Sequence, residues 1–179
     1  MKKVLKETIS TLLYLLIVLI LTMIVIKYVG QRTVVDGSSM EPTLSHQDNL
    51  IVDKISYRFG EPERFDIIVF PFQYGENVYY IKRIIGLPGE TVQIDTSGNI
   101  YINGELLKEN YGKETIAAEC VGIAVNPIVL GEDEYFVLGD NRNYSEDSRF
   151  ATVGNIKKEN VIGKDWFEIT GITDFGFIK

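Results

Sequence analysis

The sequence predicts a mainly β protein: an N-terminal transmembrane helix, then an antiparallel β-rich domain with a small inserted β subdomain. Three observations predict it. Ile9 to Ile26 is an unbroken run of 18 uncharged residues. From Thr33 onward, short runs of β-branched and aromatic residues are punctuated by Gly, Pro and Asp. No ten-residue stretch beyond the apolar run shows helical periodicity.

The apolar run softens only after Val29. At about 1.5 Å per residue, 18–21 helical residues span roughly the hydrocarbon thickness of a bilayer. Leu, Ile and Val surround the helix on every side, and Tyr14 and Tyr28 sit near its ends, where amphipathic rings favour the interface. A cleaved leader would have a shorter apolar region and a small-x-small site, whereas Lys27-Tyr28-Val29-Gly30-Gln31-Arg32 follows here. The run therefore reads as an uncleaved, single-pass anchor. Lys2, Lys3 and Lys6 favour a cytoplasmic N-terminus with the domain outside, although Lys27 and Arg32 weaken the asymmetry.

The strand candidates follow in order: Asn49–Val52, Asp66–Phe70, Val78–Ile85, Thr91–Asp95, Asn99–Asn103, Tyr135–Leu138 and Trp166–Thr170. Thr96-Ser97-Gly98 reads as a hairpin turn. Between Glu105 and Asp133 the strand signal thins, and this stretch is expected to lie outside the main sheet. The expected organisation is a cytoplasmic segment 1–8, an anchor 9–29, a main β domain of 33–95 and 133–179, and an insertion 96–132.

The charge of −7 is uneven: residues 1–32 hold five basic residues against Glu7, leaving 13 basic and 24 acidic residues beyond, a balance of −11. No cluster of Lys and Arg suggests nucleic-acid binding. Cys120 is the single cysteine, so no intrachain disulfide forms, and it is expected to be buried. With one histidine and one cysteine, Cys₂His₂ and three-histidine zinc sites are excluded.

Three constellations could carry chemistry. Ser38 and Ser39 lie between two strand patterns, in a loop bounded by Gly37 and Pro42. Alone, Gly-Ser-Ser is an ordinary turn. A nucleophilic serine needs a base, and His46 sits in a polar stretch that reads as an exposed turn. Lysine can replace histidine when burial lowers its pKa. Alternation puts Lys82 on one strand face with Val78, Tyr80 and Ile84, where it either loses its proton or snorkels to solvent. Arg83, on the other face, cannot deprotonate. Last, Gly139 to Arg149 is either a solvated acidic loop or an internally bonded one, with Asp147 and Arg149 paired and Ser145 free to orient something.

Together these residues resemble the type I signal peptidases. Ser39-Met40-x-Pro42-Thr43-Leu44 is similar to their nucleophile box, Lys82-Arg83-Ile84-Ile85-Gly86-Leu87-Pro88-Gly89-Glu90 to their general-base box, and Gly139-Asp140-Asn141-Arg142-x-x-Ser145-x-Asp147-Ser148-Arg149 to their last box. The resemblance implies a signal-peptidase/LexA-like catalytic fold of the bacterial, Gram-positive-like kind. It implies that Ser39 is the nucleophile and Lys82 the general base. It further implies that Ser145 hydrogen-bonds the lysine, that Asp147 and Arg149 form a structural ion pair, and that the Ser39 backbone N–H is one oxyanion donor. Val35, Met40, Leu44, Tyr80 and Ile81 would wall pockets for small side chains. Some relatives carry a serine two positions before the nucleophile as a second oxyanion donor; here Gly37 stands there, leaving that donor unassigned. Losing one such donor costs roughly 10²–10³ in rate.

The implied partners are signal-peptide-bearing secretory precursors and the lipid bilayer, with cleavage after small-x-small sites, no cofactor or metal, and a monomeric enzyme in the cell membrane. Two other readings compete. A self-cleaving repressor of the LexA-like type would carry a DNA-binding helical domain where this chain has an anchor. A membrane-tethered, non-enzymatic β module that binds partners would leave Ser39, Lys82 and Ser145 with no reason to coexist.

Overall fold

The structure, a computed structural model, describes residues 2–170 and 174–177. Residues 1, 171–173 and 178–179, which belong to the expected segments 1–8 and 133–179, lie outside the described residues. Helix α1 (Lys2–Tyr28) is 27 residues long and exposes its apolar side chains all round. By length and composition it can cross a membrane.

The chain leaves α1 directly into β1 (Gly30–Val34), continuing through β2 (Asn49–Asp53), one helical turn α2 (Ser56–Phe59), β3 (Ile67–Pro71) and β4 (Tyr79–Gly86). A second group of strands follows: β5 (Thr91–Ile94), β6 (Ile100–Ile102), β7 (Glu105–Leu106) and β8 (Ile128–Val129). The chain then returns through β9 (Glu134–Leu138), β10 (Ile156–Lys157), β11 (Gly163–Thr170) and β12 (Asp174–Phe177). Strands β2 to β6 and β9 fall where β-branched and aromatic runs predict them, and β11 extends the expected Trp166–Thr170 back to Gly163, whereas β1 and β12 have no counterpart among the expected strands. The two-residue strands β7, β8 and β10 are too short to show a period of two.

Two antiparallel sheets result. The main sheet runs β1-β2-β11-β3-β4-β9-β10, with β12 paired to β11; the smaller runs β7-β6-β5-β8. β5 and β6 join through a hairpin in which the Asp95 carboxylate accepts from the backbone N–H groups of Ser97 and Asn99, both at 2.9 Å. Gly98, at φ +83°, completes it, and a Cβ there would lie 2.4 Å from the Ile116 carbonyl oxygen. The stretch after β7 carries 3₁₀ turns and packs Ile116, Val121, Ala124 and Leu130 into the core beneath the small sheet. Cys120 is partly buried at the edge of that core rather than enclosed by it.

β4 lies between β3 and β9, with Ile68 opposite Lys82 and Leu138 opposite Arg83. Both of its faces are covered. Ile84 packs with Ile68, Phe70, Tyr135 and Val137, while Ile81 packs against Val35, Met40, Leu44, Leu50 and Ile67. A strand covered on both faces reads as a near-continuous apolar run, as Ile81-Lys82-Arg83-Ile84-Ile85 does apart from its two cations. Those two cations are what the fold must accommodate.

Candidate active site

The two cations are solved differently. Arg83, 1% exposed, donates from Nε to Asp140 Oδ1 at 2.9 Å and from Nη2 to Asp140 Oδ2 at 2.7 Å. Its Nη1 donates to the Phe65 carbonyl at 2.9 Å, and its guanidinium carbon lies 3.8 Å from the Tyr111 ring centroid. A fork-to-fork pair with the remaining donors used is the arrangement in which a buried guanidinium is tolerated.

Lys82, 4% exposed, finds a hydroxyl and a carbonyl instead. Its Nζ donates to Ser39 Oγ at 2.8 Å and to the Ile81 carbonyl at 2.9 Å. Burial lowers its pKa to about 8, against the opposing pull of Asp147, Glu146 and Asp140. Of the two expectations for Lys82, burial rather than snorkelling is what the fold produces.

Ser39 is held by backbone. Its carbonyl accepts from the Asn141 N–H at 3.0 Å, and the Ser38 carbonyl accepts from Asn141 Nδ2 at 3.0 Å. Thr43 Oγ1 donates to Asp140 Oδ2 at 2.5 Å, tying the far end of the same loop to the pair that neutralises Arg83. Ser38 is exposed, and Gly37, at φ +117°, adopts a backbone that side chains rarely allow. His46 remains at the surface, its side chain 56% exposed, with Nδ1 accepting from the Gly37 N–H at 3.2 Å.

The segment after β9 is bonded internally rather than solvated. Arg149 donates from Nε to Asp147 Oδ1 at 2.7 Å and from Nη2 to Asp147 Oδ2 at 2.8 Å, both residues being fully buried. The spare Asp147 capacity accepts the Gly139 N–H at 3.0 Å. Ser145 is buried beside the nucleophile loop, yet its Oγ has no hydrogen-bond partner. The expected bond from Ser145 to Lys82 is not made; Nζ is directed at Ser39 and the Ile81 carbonyl. The close approach of the two loops depends on Gly139, where a Cβ would lie 2.3 Å from Ser145 Oγ and 2.4 Å from the Ser39 carbonyl oxygen.

Ser39 and Lys82 open onto a cavity of about 530 Å³. Val35, Met40, Tyr80 and Ile81 line it, as do Asp36, Tyr144 and Glu146. Leu44 does not. It is fully buried behind Met40, in the cluster with Val35, Leu50 and Ile67, because the turn after Pro42 carries it inward. Tyr80 stacks on Phe72 with ring centroids 4.6 Å apart and donates its hydroxyl to Glu146 Oε2 at 2.9 Å. Burial and that bond push the Tyr80 phenol up to about 12. Sequence reasoning placed Asp140 and Asn141 in the last box without giving them a role, and did not single out Glu146. The density of polar groups after β9 was the available signal, but which of them face the cleft is a tertiary matter.

A hydroxyl 2.8 Å from a buried amine that is largely neutral above pH 8 is an arrangement able to generate an alkoxide-like nucleophile. Residues 6–169 match the family described as "Signal peptidase, peptidase S26". The chain is 39% identical over 156 residues to "Probable signal peptidase I-2" of Synechocystis sp., a match covering 84% of this chain and 68% of that protein. It is 43% identical over 144 residues to "Signal peptidase I" of Leptolyngbya laminosa, covering 76% and 67% respectively. With "Signal peptidase I" of Bacillus licheniformis the identity is 38% over 158 residues, covering 86% and 83%. The chain belongs to the signal peptidase family, peptidase S26.

Proposed function

We propose that this chain is a membrane-anchored serine endopeptidase that removes signal peptides from exported precursors, with Ser39 as nucleophile and Lys82 as general base. The observation that carries the assignment of roles is the 2.8 Å contact between Ser39 Oγ and a buried amine whose pKa falls to about 8.

Neutral Lys82 takes the Ser39 hydroxyl proton as Oγ attacks the scissile carbonyl carbon. The resulting oxyanion is met by the Ser39 backbone N–H. Protonated Lys82 then gives its proton to the departing amine, the C–N bond breaks, and an acyl-enzyme remains on Ser39. Water, losing a proton to Lys82, attacks that ester and releases the carboxylate product, restoring the hydroxyl. Asp147, Arg149 and Ser145 act as the frame that keeps the last loop against the nucleophile loop.

Val35, Met40, Tyr80 and Ile81 form shallow apolar walls, backed by Leu44, suited to alanine-sized side chains at the first and third positions before the cut. A larger side chain overlaps the walls, and a charge there is desolvated without a partner. The extended precursor segment lies beside β4 and is read through its backbone. The chain acts as a monomer, with residues 1–8 cytoplasmic, 9–29 across the membrane and the catalytic domain outside. Residues 33–95 and 133–179 form that domain, and 96–132 are a small insertion joined to it through β5. At about 3.3 Å per residue, the seven residues from Val29 to Val35 keep the cleft within roughly 23 Å of the end of α1, where a precursor's apolar helix emerges.

The test is cleavage of a secretory precursor by detergent-solubilised wild type and Ser39→Ala. Cleavage after an Ala-x-Ala site by the wild type alone supports the reading; cleavage by both overturns it.

A further inference from the structure

The cavity beside Ser39 has an unbalanced charge. Among the residues lining it, Asp36 and Glu146 are the carboxylates and Lys82 is the cation, which must be neutral to work as a base. A working cleft therefore carries negative charge and no positive charge. The two carboxylates are not equivalent. Asp36 is 95% exposed beside His46, so water and salt screen it. Glu146 is exposed as well, but its carboxylate is held by two hydroxyls: Tyr80 Oη donates to its Oε2 at 2.9 Å and Thr152 Oγ1 to its Oε1 at 2.6 Å. Each carboxylate oxygen offers about two acceptor positions, so one on each remains open to a third donor. Tyr80 and Lys82 are two apart on one strand, roughly 7 Å, which puts the Glu146 carboxylate within a residue or two of the bond being cut.

We propose that Glu146 is a specificity-determining residue that favours precursors carrying lysine or arginine within two residues of the cut bond. The inference rests on the Ser39 cleft being the cleavage site. In an extended substrate, alternate side chains point opposite ways. Those facing the apolar walls must be small, and those between them turn to the rim, where a cation meets a carboxylate held by neutral hydroxyls. An acidic side chain at the same position meets like charge.

The experiment compares peptides bearing Lys, Gln or Glu at the second residue before the cut and at the first residue after it. With the wild type at low salt, the Lys-to-Glu ratio of kcat/KM reaches about tenfold at one or more of these positions, since an exposed pair contributes attraction to one and repulsion to the other. Glu146→Gln collapses the ratio at that position, Glu146→Lys inverts it, and Asp36→Asn changes it less. Binding of the same peptides to Ser39→Ala and to Ser39→Ala/Glu146→Gln gives the comparison without turnover, should a Glu146 variant lose activity. A ratio unmoved by Glu146→Gln in both measurements overturns the inference. Cleavage persisting in Ser39→Ala overturns the reading on which it rests.

Discussion

Lys82 and Arg83 are consecutive in β4, both at or below 4% exposure, and they meet opposite faces of the strand. Arg83 is neutralised in place by Asp140, whereas Lys82 meets Ser39 Oγ and a carbonyl. The same strand thus holds one cation whose charge is met by a carboxylate and another whose burial favours loss of its proton. Asp140 also accepts from Thr43 in the nucleophile loop, so the pair around Arg83 fixes the position of the serine that Lys82 reaches.

Nucleophile and base act as a unit, so removing either removes nearly the whole effect. Ser39→Ala and Lys82→Ala should each lower kcat/KM by at least about 10³-fold while remaining folded. Ser38→Ala and His46→Ala should retain most activity, because both side chains lie at the surface. Steady-state cleavage with circular dichroism on each variant is the check. Inactivity of His46→Ala beside an active Lys82→Ala would reverse the assignment of the base.

The depressed Lys82 pKa has two consequences. Activity should rise through about pH 8 as the amine loses its proton. Stability moves the same way: between about 8 and the ordinary value of 10.5 the unfolded chain binds more protons at this site than the folded one. The burial penalty is therefore full below pH 8 and fades above it, amounting to roughly 3 kcal/mol. Lys82→Met should be inactive yet more stable than wild type by about 1–3 kcal/mol near pH 6.5, with the gain shrinking by pH 10. Denaturant titrations of the solubilised full chain at both pH values measure it.

The Asp147–Arg149 pair should behave as buried pairs do. Asp147→Ala leaves a fully buried guanidinium unpaired and should cost about 3–5 kcal/mol of stability. Asp147→Ala/Arg149→Met should be less destabilised than Asp147→Ala alone. A double-mutant cycle without coupling would show the pair to be energetically irrelevant.

Gly139→Ala inserts a methyl group where Ser145 Oγ and the Ser39 carbonyl already approach within 2.3 and 2.4 Å of it. The nucleophile loop must move, and a shift of about 1 Å at such a site costs about 100-fold in rate. The stability cost should be smaller in proportion, about 1–3 kcal/mol. Comparing kcat with the unfolding midpoint separates misplacement from unfolding.

Local pattern by itself determined the apolar helix, strands β2 to β6 and β9, and the presence of three polar boxes in order. A run of uncharged residues, a period of two and turn residues are all readable within a few positions of one another. The same pattern left Lys82 balanced between burial and solvent, because a strand face becomes apolar only when something covers it. Packing by Ile68, Phe70 and Tyr135 on one side and Met40 and Leu44 on the other supplied that cover. Pairings across long separations were equally invisible: Arg83 with Asp140, Asn141 with Ser39, Glu146 with Tyr80. Leu44 shows the converse case, being apolar and close in sequence to Ser39 yet directed away from the cleft. Sequence spacing specifies which residue types are available, but burial and hydrogen-bond partners are set by elements tens of residues apart. Only the assembled sheet decides which cation is paired, which amine is buried beside a hydroxyl, and which carboxylate lines the cleft.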